Sequence, residues 1–317
     1  MKTKKREVVE SKASIKTIVI AVVVLAIIVV IAGVAIYQDR VAPFRTIVLK
    51  VDGSSITMRY FLKRVLSSGR EAMAMLQTLT NEEIIKQAAP KPPYNIKIGE
   101  EDIELFLKDL ARGESDTISE KEFKEWYRQR LNESRLADSE FRELMRANLF
   151  GQRLHGYLAE RVPTVAEQVY LYMIVVKNLE EAKKAKERLD TGEDFRTLAR
   201  EVSSDETLKQ KGGEVGWFPR GALAPTLSQV AFDDLDIGEA SEPLFLDDQN
   251  AVVIMISEKV AAREIEEDSL KALKSRVLDD WLRGEFKRHK VEFHGFKNGY
   301  DSETDAWVQW QLQRMRR

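Results

Sequence analysis

The chain opens with an abrupt change from charged to apolar positions. Residues 17–37 are 21 consecutive positions without a charged side chain, and apolar and polar residues are interleaved only after residue 38. As a helix, 21 residues span about 31 Å at 1.5 Å per residue, enough to cross roughly 30 Å of hydrocarbon. The pattern therefore predicts one transmembrane helix at residues 17–37.

The charges on either side of this apolar segment predict its orientation. Residues 1–16 carry six basic and two acidic side chains, a net charge of +4, whereas only Arg40 and Arg45 follow closely. The positive-inside bias makes residues 1–16 a cytoplasmic tail and residues 38 onward extracytoplasmic, in a single-pass protein of the cell membrane. A cleaved secretory signal is the alternative, although its apolar core is usually only about 7 to 15 residues long.

Residues 38–165 show mainly helical periodicity. The alternation at 46–51 predicts a strand, Asp52-Gly53 predicts a turn, and Thr57 is a suitable N-cap for a following helix. Apolar and aromatic side chains recur at helical spacing in three further segments, which are 96–110, 119–131 and 139–158. We interpret these stripes as core packing, and the segment as a mostly helical domain with one short strand.

Residues 166–260 follow a different order of elements. An apolar, β-branched run at 169–176 predicts a strand, and two helical patterns follow at 179–189 and 195–202. A loop at 212–221 contains four glycines. In the rest of this segment, the pattern predicts a short helix beginning at Pro225 and a strand at 252–256. The glycine loop lacks the spacings of phosphate-binding motifs.

The amino-acid composition argues against several classes of function. Lys and Arg number 50 against 52 Asp and Glu, a net charge of −2, which argues against a protein that neutralises nucleic-acid phosphates. The chain has no cysteine, so disulfides, thiolate zinc sites and cysteine nucleophiles are excluded. We expect no nucleic-acid partner, no cofactor and no metal.

The glycine loop and its flanks carry a family resemblance. The run FRTLAREVSSDETLKQKGGEVGWFPRGALAPTLSQVAFDDLDIGEASEPL, with its S-x-D, G-G-x-x-G-W-F, A-F and G-x-x-S-x-P motifs, resembles the parvulin family of peptidyl-prolyl isomerases. The runs IVLKVDGSSITMRYFLKRV, ISEKEFKEWYRQRL and SEFRELMRANLFGQRL are similar to the N-terminal domain of SurA and PrsA type chaperones. The helical pattern at 270–288 resembles the helix that follows the isomerase domain in these foldases.

The resemblance implies an α+β protein. A parvulin-like domain at 166–260, with a small antiparallel sheet covered by helices, is expected between a helical domain at 38–165 and a C-terminal helix and tail at 261–317. The implied function is a membrane-anchored extracytoplasmic foldase, both isomerase and chaperone for exported proteins. Its partners would be unfolded or partly folded polypeptides with X-Pro bonds, and the anchor at 17–37 would hold it at the membrane. The sequence says nothing about the oligomeric state.

The same resemblance implies where the substrate binds. Isomerisation needs an apolar slot for the proline ring and a site that favours the twisted amide. If the roles of the family's motif residues apply here, the slot is lined by Leu223, Leu227 and Phe232. Asp205 then occupies or adjoins the family's polar catalytic position. On this interpretation, Phe232→Ala lowers the isomerisation rate and leaves the fold largely intact.

Two positions depart from the family pattern. Parvulins usually carry two histidines on neighbouring central strands, and the aligned residues here are Met173 and Val252. The three histidines of the chain are His155, His289 and His294, all outside the domain. Two functions therefore stay open, an active isomerase and an inactive parvulin-like chaperone or scaffold that binds extended proline-containing segments.

The C-terminal segment leaves the family pattern. It combines Trp307 and Trp310 with Arg314, Arg316 and Arg317. Two interpretations are a frayed or loosely docked helix, which we favour, and an aromatic and basic segment on a lipid surface.

Overall fold

The computed structural model describes residues 15–297 and 299–316, in two compact units. One unit combines the chain up to Gly151 with the segment from Gly284 onward, and the other is Gln152–Arg283. Five of the six basic residues on which the predicted orientation depends, among them Lys2, Lys4 and Arg6, lie outside the described residues.

The first helix, α1 (Ile15–Arg40), contains the predicted membrane segment. Its part Val22–Arg40 is long and apolar enough to cross a membrane, and none of this part is buried in the protein. An uncleaved anchor and a secretory signal share these properties. A short helix, α2 (Ala42–Arg45), follows.

The first unit contains a three-stranded antiparallel sheet where the sequence predicts one strand. Its strands are β1 (Ile47–Val51), β2 (Ser54–Thr57) and β7 (Val291–Phe293), in the order β2-β1-β7. The Asp52-Gly53 turn closes a hairpin with only four residues in its second strand, too few for periodicity to reveal. The third strand is contributed from far along the chain, which no local pattern can predict.

Five helices follow the β1–β2 hairpin along the chain, and three of them have hydrogen-bonded N-terminal caps. Thr57 accepts a hydrogen bond from the Tyr60 amide as the predicted N-cap, and Ser119 caps its helix reciprocally with Glu122. The helix predicted at 96–110 begins later, because the Asp102 carboxylate accepts from the Gly99 amide at 2.7 Å. These helices are α3 (Met58–Ser68), α4 (Ala72–Ala88), α5 (Glu100–Arg112), α6 (Glu120–Ser134) and α7 (Asp138–Ala159).

The aromatic C-terminal segment is a docked helix, α13 (Ser302–Arg316). Val308 and Leu312 are buried. The Trp307 ring makes edge contacts with Phe44, 5.4 Å between centroids, and with Phe296, 5.1 Å. Trp310 is exposed. The packed face explains why this segment is helical without matching a family motif.

The second unit is built on a four-stranded antiparallel sheet in the order β4-β3-β6-β5. Its strands are β3 (Val165–Val176), β4 (Glu214–Pro219), β5 (Leu244–Phe245) and β6 (Ala251–Glu264). Strands β3 and β6 pair along most of their length, with Val175 opposite Val252. The glycine segment predicted as a loop therefore contains a strand, and the last predicted strand is much longer than 252–256.

Helices cover both faces of this sheet. On the face that we call the back, α8 (Leu179–Asp190) and α9 (Phe195–Val202) pack against Tyr172 and Ile174. On the other face, the front, α11 (Pro225–Gln229) and a π-helical turn (Val230–Asp234) pack against Val169 and Leu171. The remaining helices of the unit are α10 (Glu206–Lys211) and α12 (Glu267–Phe286), the second of which continues past the unit boundary.

Candidate functional site

The three residues predicted to line the slot lie together on the front face of the sheet. Leu223, Leu227 and Phe232 belong to one core cluster with side chains of β3 and β6. Their exposed fractions are 8%, 6% and 1%. The sequence predicts an open hollow at this place, whereas the structure has the three side chains packed against their neighbours.

The two positions aligned with the family histidines also face this cluster. Val252 is fully buried in it, and Met173, partly buried, packs against it. Along the strands, Met173 is opposite Ile254 and Val252 is opposite Val175. A buried histidine would need hydrogen-bond partners. Apolar residues remove that need, so the front face is a continuous apolar surface at these positions.

The two adjacent glycines of the motif have separate structural roles. Gly212 ends α10 in the left-handed conformation, with φ +63°. Gly213 has φ +78°, and a Cβ atom there would lie 2.9 Å from the carbonyl oxygen of Met173. The amide of Met173 donates to the carbonyl of Gly213 at 2.7 Å. Only glycine allows the chain to pass this close to the central strand.

Asp205, the tentative catalytic residue, is the N-cap of α10. Its carboxylate accepts from the Leu208 amide at 2.9 Å and is exposed. The preceding Ser204 binds the carbonyl of Val175 through its amide at 2.7 Å and its hydroxyl at 3.0 Å. The S-x-D motif thus joins the end of α9 to β3 and starts α10. Sequence analysis missed α10, because six residues carry little periodicity.

The serine of the second motif, Ser241, is buried and bonded to β6. Its hydroxyl accepts from the Ile254 amide at 3.0 Å, and its own amide donates to the Ile254 carbonyl at 2.8 Å. This pairing fixes the segment before β5 beside the strand that carries Val252. The motif serine is therefore structural in this chain.

An arginine that sequence analysis missed lies at the rim of the front cluster. The Arg220 guanidinium is 4.6 Å from the centroid of the Phe232 ring. Its Nε donates to Glu167 at 2.6 Å, and its two Nη atoms donate to both carboxylate oxygens of Asp233 at 3.0 and 3.3 Å. Arg220 holds the pKa of Asp233 below its usual value through these hydrogen bonds. Its partners are 53 and 13 residues away, so no local sequence pattern indicates this group.

Lysine and arginine side chains hold the neighbouring backbone. Lys259 donates to the carbonyl of Phe232, and Arg276 of α12 donates to the carbonyl of Ala222 at 3.0 Å. The second bond fixes the loop between Arg220 and Leu223. The polar contacts of the front face therefore lie at its rim and on the backbone, and leave the side-chain cluster apolar.

Comparison with known proteins agrees with this geometry. Residues 177–258 match the family described as rotamase, PPIC-type PPIASE domain. A foldase protein PrsA from Halalkalibacterium halodurans is 26% identical over 250 residues, which are 74% of this chain and 73% of the relative. One from Caldanaerobacter subterraneus subsp. tengcongensis is 28% identical over 241 residues, which are 75% and 64% of the two chains.

A similar solved structure is the crystal structure of the peptidylprolyl isomerase PrsA from Bacillus anthracis. It has 21% sequence identity and a TM-score of 0.40, covering 76% of this chain and 97% of that chain.

The second unit therefore contains a parvulin-type peptidyl-prolyl isomerase domain, as the sequence predicts. Over three-quarters of its length, the chain is similar to the PrsA foldases. The family match confirms the predicted parvulin-type domain, and the relatives agree with the predicted PrsA-like resemblance of the remaining chain. The helices and the two antiparallel sheets of the described residues confirm the α+β fold class.

Proposed function

We propose that this chain is a membrane-anchored extracytoplasmic foldase that accelerates cis-trans isomerisation of X-Pro bonds in exported polypeptides and binds them as a chaperone. The observation that carries the proposal is the match of residues 177–258 to the PPIC-type domain, with its motif residues in the roles described above. The similarity to PrsA foldases supports the chaperone function and the extracytoplasmic location.

The apolar helix supports attachment to the membrane. Its part Val22–Arg40 is unburied and long enough to cross a bilayer. With the basic residues 1–16 on the cytoplasmic side, the two folded units lie on the extracytoplasmic side of the membrane. A protease added to intact spheroplasts tests this orientation: it should digest both units. Their protection would contradict it.

The chemistry proposed for the site uses binding and no proton transfer. The barrier to rotation about an amide is about 18 to 20 kcal/mol, and a protein lowers it by binding the twisted amide better than either planar isomer. In our proposal, Leu223, Leu227 and Phe232 hold the proline ring, Met173 and Val252 form the apolar floor, and Asp205 borders the site as a helix cap. None of the three slot residues nor the two floor residues can transfer a proton.

The same apolar floor favours a second candidate function. Met173 and Val252 stand where the family usually has histidines, so the site could retain binding and lose turnover. In this case the protein is a chaperone or scaffold that recognises extended proline-containing segments.

One assay separates the two functions. The full chain in detergent micelles is added to a protein whose refolding is limited by an X-Pro bond, and aggregation is measured in parallel. An isomerase shortens the slow phase, which otherwise takes tens to hundreds of seconds. An unchanged slow phase with suppressed aggregation rejects the isomerase function and supports the scaffold.

A further inference from the structure

The C-terminal helix α13 is docked beside the end of the membrane helix, and both belong to the first unit. The Trp307 ring makes an edge contact with Phe44 of α2 at 5.4 Å between centroids, and another with Phe296 at 5.1 Å. Phe44 lies only seven residues after Tyr37, the last residue of the apolar segment 17–37. The fold of this unit therefore brings the last described helix to the place where the chain leaves the predicted membrane segment.

Helix geometry limits how far this contact is from the lipid. The amide of Val41 donates to the carbonyl of Tyr37 at 2.9 Å, so the helix continues past the apolar segment. Seven residues rise at most about 10 Å at 1.5 Å per residue, and the headgroups add roughly 5 to 7 Å to each side of the hydrocarbon. Phe44 is thus at the outer edge of the headgroup region, and long side chains of α13 beside it can reach that region.

Next to this contact, α13 presents an aromatic and a basic side chain to its surroundings. Trp310 is one turn after Trp307 and is 50% exposed. The Arg314 guanidinium lies 4.6 Å from the centroid of the Trp310 ring, and Arg314 is exposed as well. Val308 and Leu312, on the opposite side of the helix, are buried. The packed side thus determines that Trp310 and Arg314 face outward.

The chemistry of these two side chains fits a membrane surface. An indole ring has an apolar body and a polar N–H, and it prefers the headgroup level of a bilayer. A guanidinium is attracted to anionic headgroups within about a Debye length of the surface. In water, an exposed indole leaves a large apolar area hydrated. Because the contact site on α2 continues directly into α1, the surface nearest to Trp310 is the membrane in which the chain is anchored.

We propose that Trp310 and Arg314 bind the lipid headgroups, so that the first unit contacts the membrane surface as well as being anchored in it. This inference rests on the membrane anchor of the proposed function, and it adds a lipid-binding surface on α13. The Trp310 ring should therefore touch lipid in the anchored protein. An anchor without this contact would leave the ring in water.

Trp126 and Arg130 provide a matched control in the same unit. They have the same spacing on α6, with the Arg130 guanidinium 5.7 Å from the centroid of the Trp126 ring. The Trp126 ring stacks on Phe123 at 6.3 Å and packs against a buried cluster of α5, α6 and α7 side chains. Substitutions of this pair therefore change the same chemical groups at a site that is not built on α2.

The experiment measures quenching of tryptophan fluorescence by lipid. The full chain is reconstituted in vesicles of phosphatidylcholine and phosphatidylglycerol, in which part of the phosphatidylcholine carries bromine near the headgroup end of its acyl chains. Bromine quenches indole rings at contact distance. Trp310→Phe should lose more than about half of the emission quenched per protein, because an interfacial tryptophan has the greatest access to lipid. Trp126→Phe should retain nearly all of it, and equal quenching of the two variants would overturn the proposal.

A second measurement tests the charge without removing the ring. Quenching in the unchanged protein should increase with the share of phosphatidylglycerol, and high salt should reverse the increase, because salt screens the attraction. Arg314→Gln should weaken this response, whereas Arg130→Gln should keep it. The same response in both variants would show that Arg314 does not bind the headgroups.

A quencher dissolved in water, acrylamide, identifies any other surroundings of Trp310. The contribution of this ring is the difference between the unchanged protein and Trp310→Phe. If acrylamide quenches the ring and brominated lipid does not, the ring is in water and the proposal is wrong. If neither quenches it, a protein surface such as a second copy of the chain covers it, and the proposal is also wrong.

An alkaline wash of the vesicles tests the anchor separately. A chain that is washed off overturns both the anchor and the headgroup contact. An anchored chain whose Trp310 is not quenched by lipid overturns the contact alone. An anchored chain with a quenched Trp310 that leaves the slow refolding phase unchanged overturns the isomerase function, and the contact stands.

Discussion

The two faces of the parvulin sheet use side chains differently. On the back face, aromatic rings contact cations and each other: Arg263 lies over Trp217 at 4.5 Å, Trp217 meets Tyr170 edge-on at 5.3 Å, and the Tyr170 hydroxyl donates to Glu214. That hydrogen bond, with some burial, raises the pKa of Tyr170 to about 12. On the front face one cation, that of Arg220, lies over the Phe232 ring, and the two positions aligned with the family histidines are the apolar residues Met173 and Val252.

This difference between the two faces implies that both contribute to stability and that the front face binds the substrate. A face that satisfies its polar atoms with its own side chains has nothing to offer a substrate amide. An apolar face can instead bind an apolar group such as a proline ring. Substitutions on the two faces should therefore have similar effects on unfolding, and only those on the front should change isomerisation.

The largest expected effect comes from truncating a buried ring on either face. Phe232 is 1% and Phe195 4% exposed, so replacement of either by alanine should cost about 3 to 5 kcal/mol of unfolding free energy. The expectation that Phe232→Ala leaves the fold largely intact is therefore revised, because the ring is a core residue. Urea unfolding followed by tryptophan fluorescence measures both costs.

A milder pair of variants tests the functional contrast. Phe232→Leu and Phe195→Leu keep most of the apolar volume, so both proteins should stay folded. Only Phe232→Leu should slow isomerisation in the refolding assay. Equal rates for the two variants would remove Phe232 from the proposed slot.

The next effect tests why the central strand needs a glycine neighbour. In Gly213→Ala, the new methyl group would meet the Met173 carbonyl at 2.9 Å, and alanine would also have to adopt a positive φ. We expect a loss of about 2 to 4 kcal/mol, above the roughly 1 to 2 kcal/mol of the left-handed conformation alone. Gly221→Ala is the control, since its φ is +91° and no atom lies within 4 Å of its Cβ position. If both variants lose the same stability, the close approach to β3 is unimportant.

A smaller effect distinguishes Ser241 of the second motif from Ser204, the middle residue of the S-x-D motif. Ser241→Ala deprives the Ile254 amide of its hydroxyl acceptor, and an unsatisfied buried donor costs about 1 to 3 kcal/mol. Ser204→Ala should cost less than about 1 kcal/mol, because the Val175 carbonyl keeps its bond to the Ser204 amide. Thermal unfolding of the two variants compares them directly. A larger loss for Ser204→Ala would reverse the roles that we assign.

Much of this arrangement could be predicted, for identifiable reasons. The helices with strong apolar stripes, the Thr57 cap and the short helix at Pro225 follow from periodicity and cap chemistry. The glycine and serine motifs indicated the family. Those features depend on neighbouring residues in the chain.

The features that could not be predicted depend on distant contacts. Strand β7 pairs with β1 from more than 200 residues away, and β2 is too short to show a period. The sequence predicts an open slot because its motifs place Leu223, Leu227 and Phe232 together, but their burial is decided by the side chains of β3 and β6 that pack against them. These contacts are a result of the fold.

The smallest expected effect is the absence of a pH response in the isomerisation rate. A parvulin with histidines in its site has groups that titrate near neutral pH, whereas Met173 and Val252 at these positions have none. A carboxyl group at the rim of the front cluster is that of Asp233, whose pKa Arg220 lowers through its hydrogen bonds. When the pKa of a carboxyl group is lower in the folded state than in the unfolded chain, about 3.9, its interaction is fully present above the unfolded-state pKa. The interaction is lost only as the pH falls through the lower folded-state pKa. The ratio kcat/KM should therefore be constant between about pH 5.5 and 8.5. The measurement needs a refolding substrate whose own stability does not change in this pH range. A bell-shaped profile of kcat/KM centred near neutral pH would show that a titrating group takes part. The apolar slot would then be an incomplete description of the site.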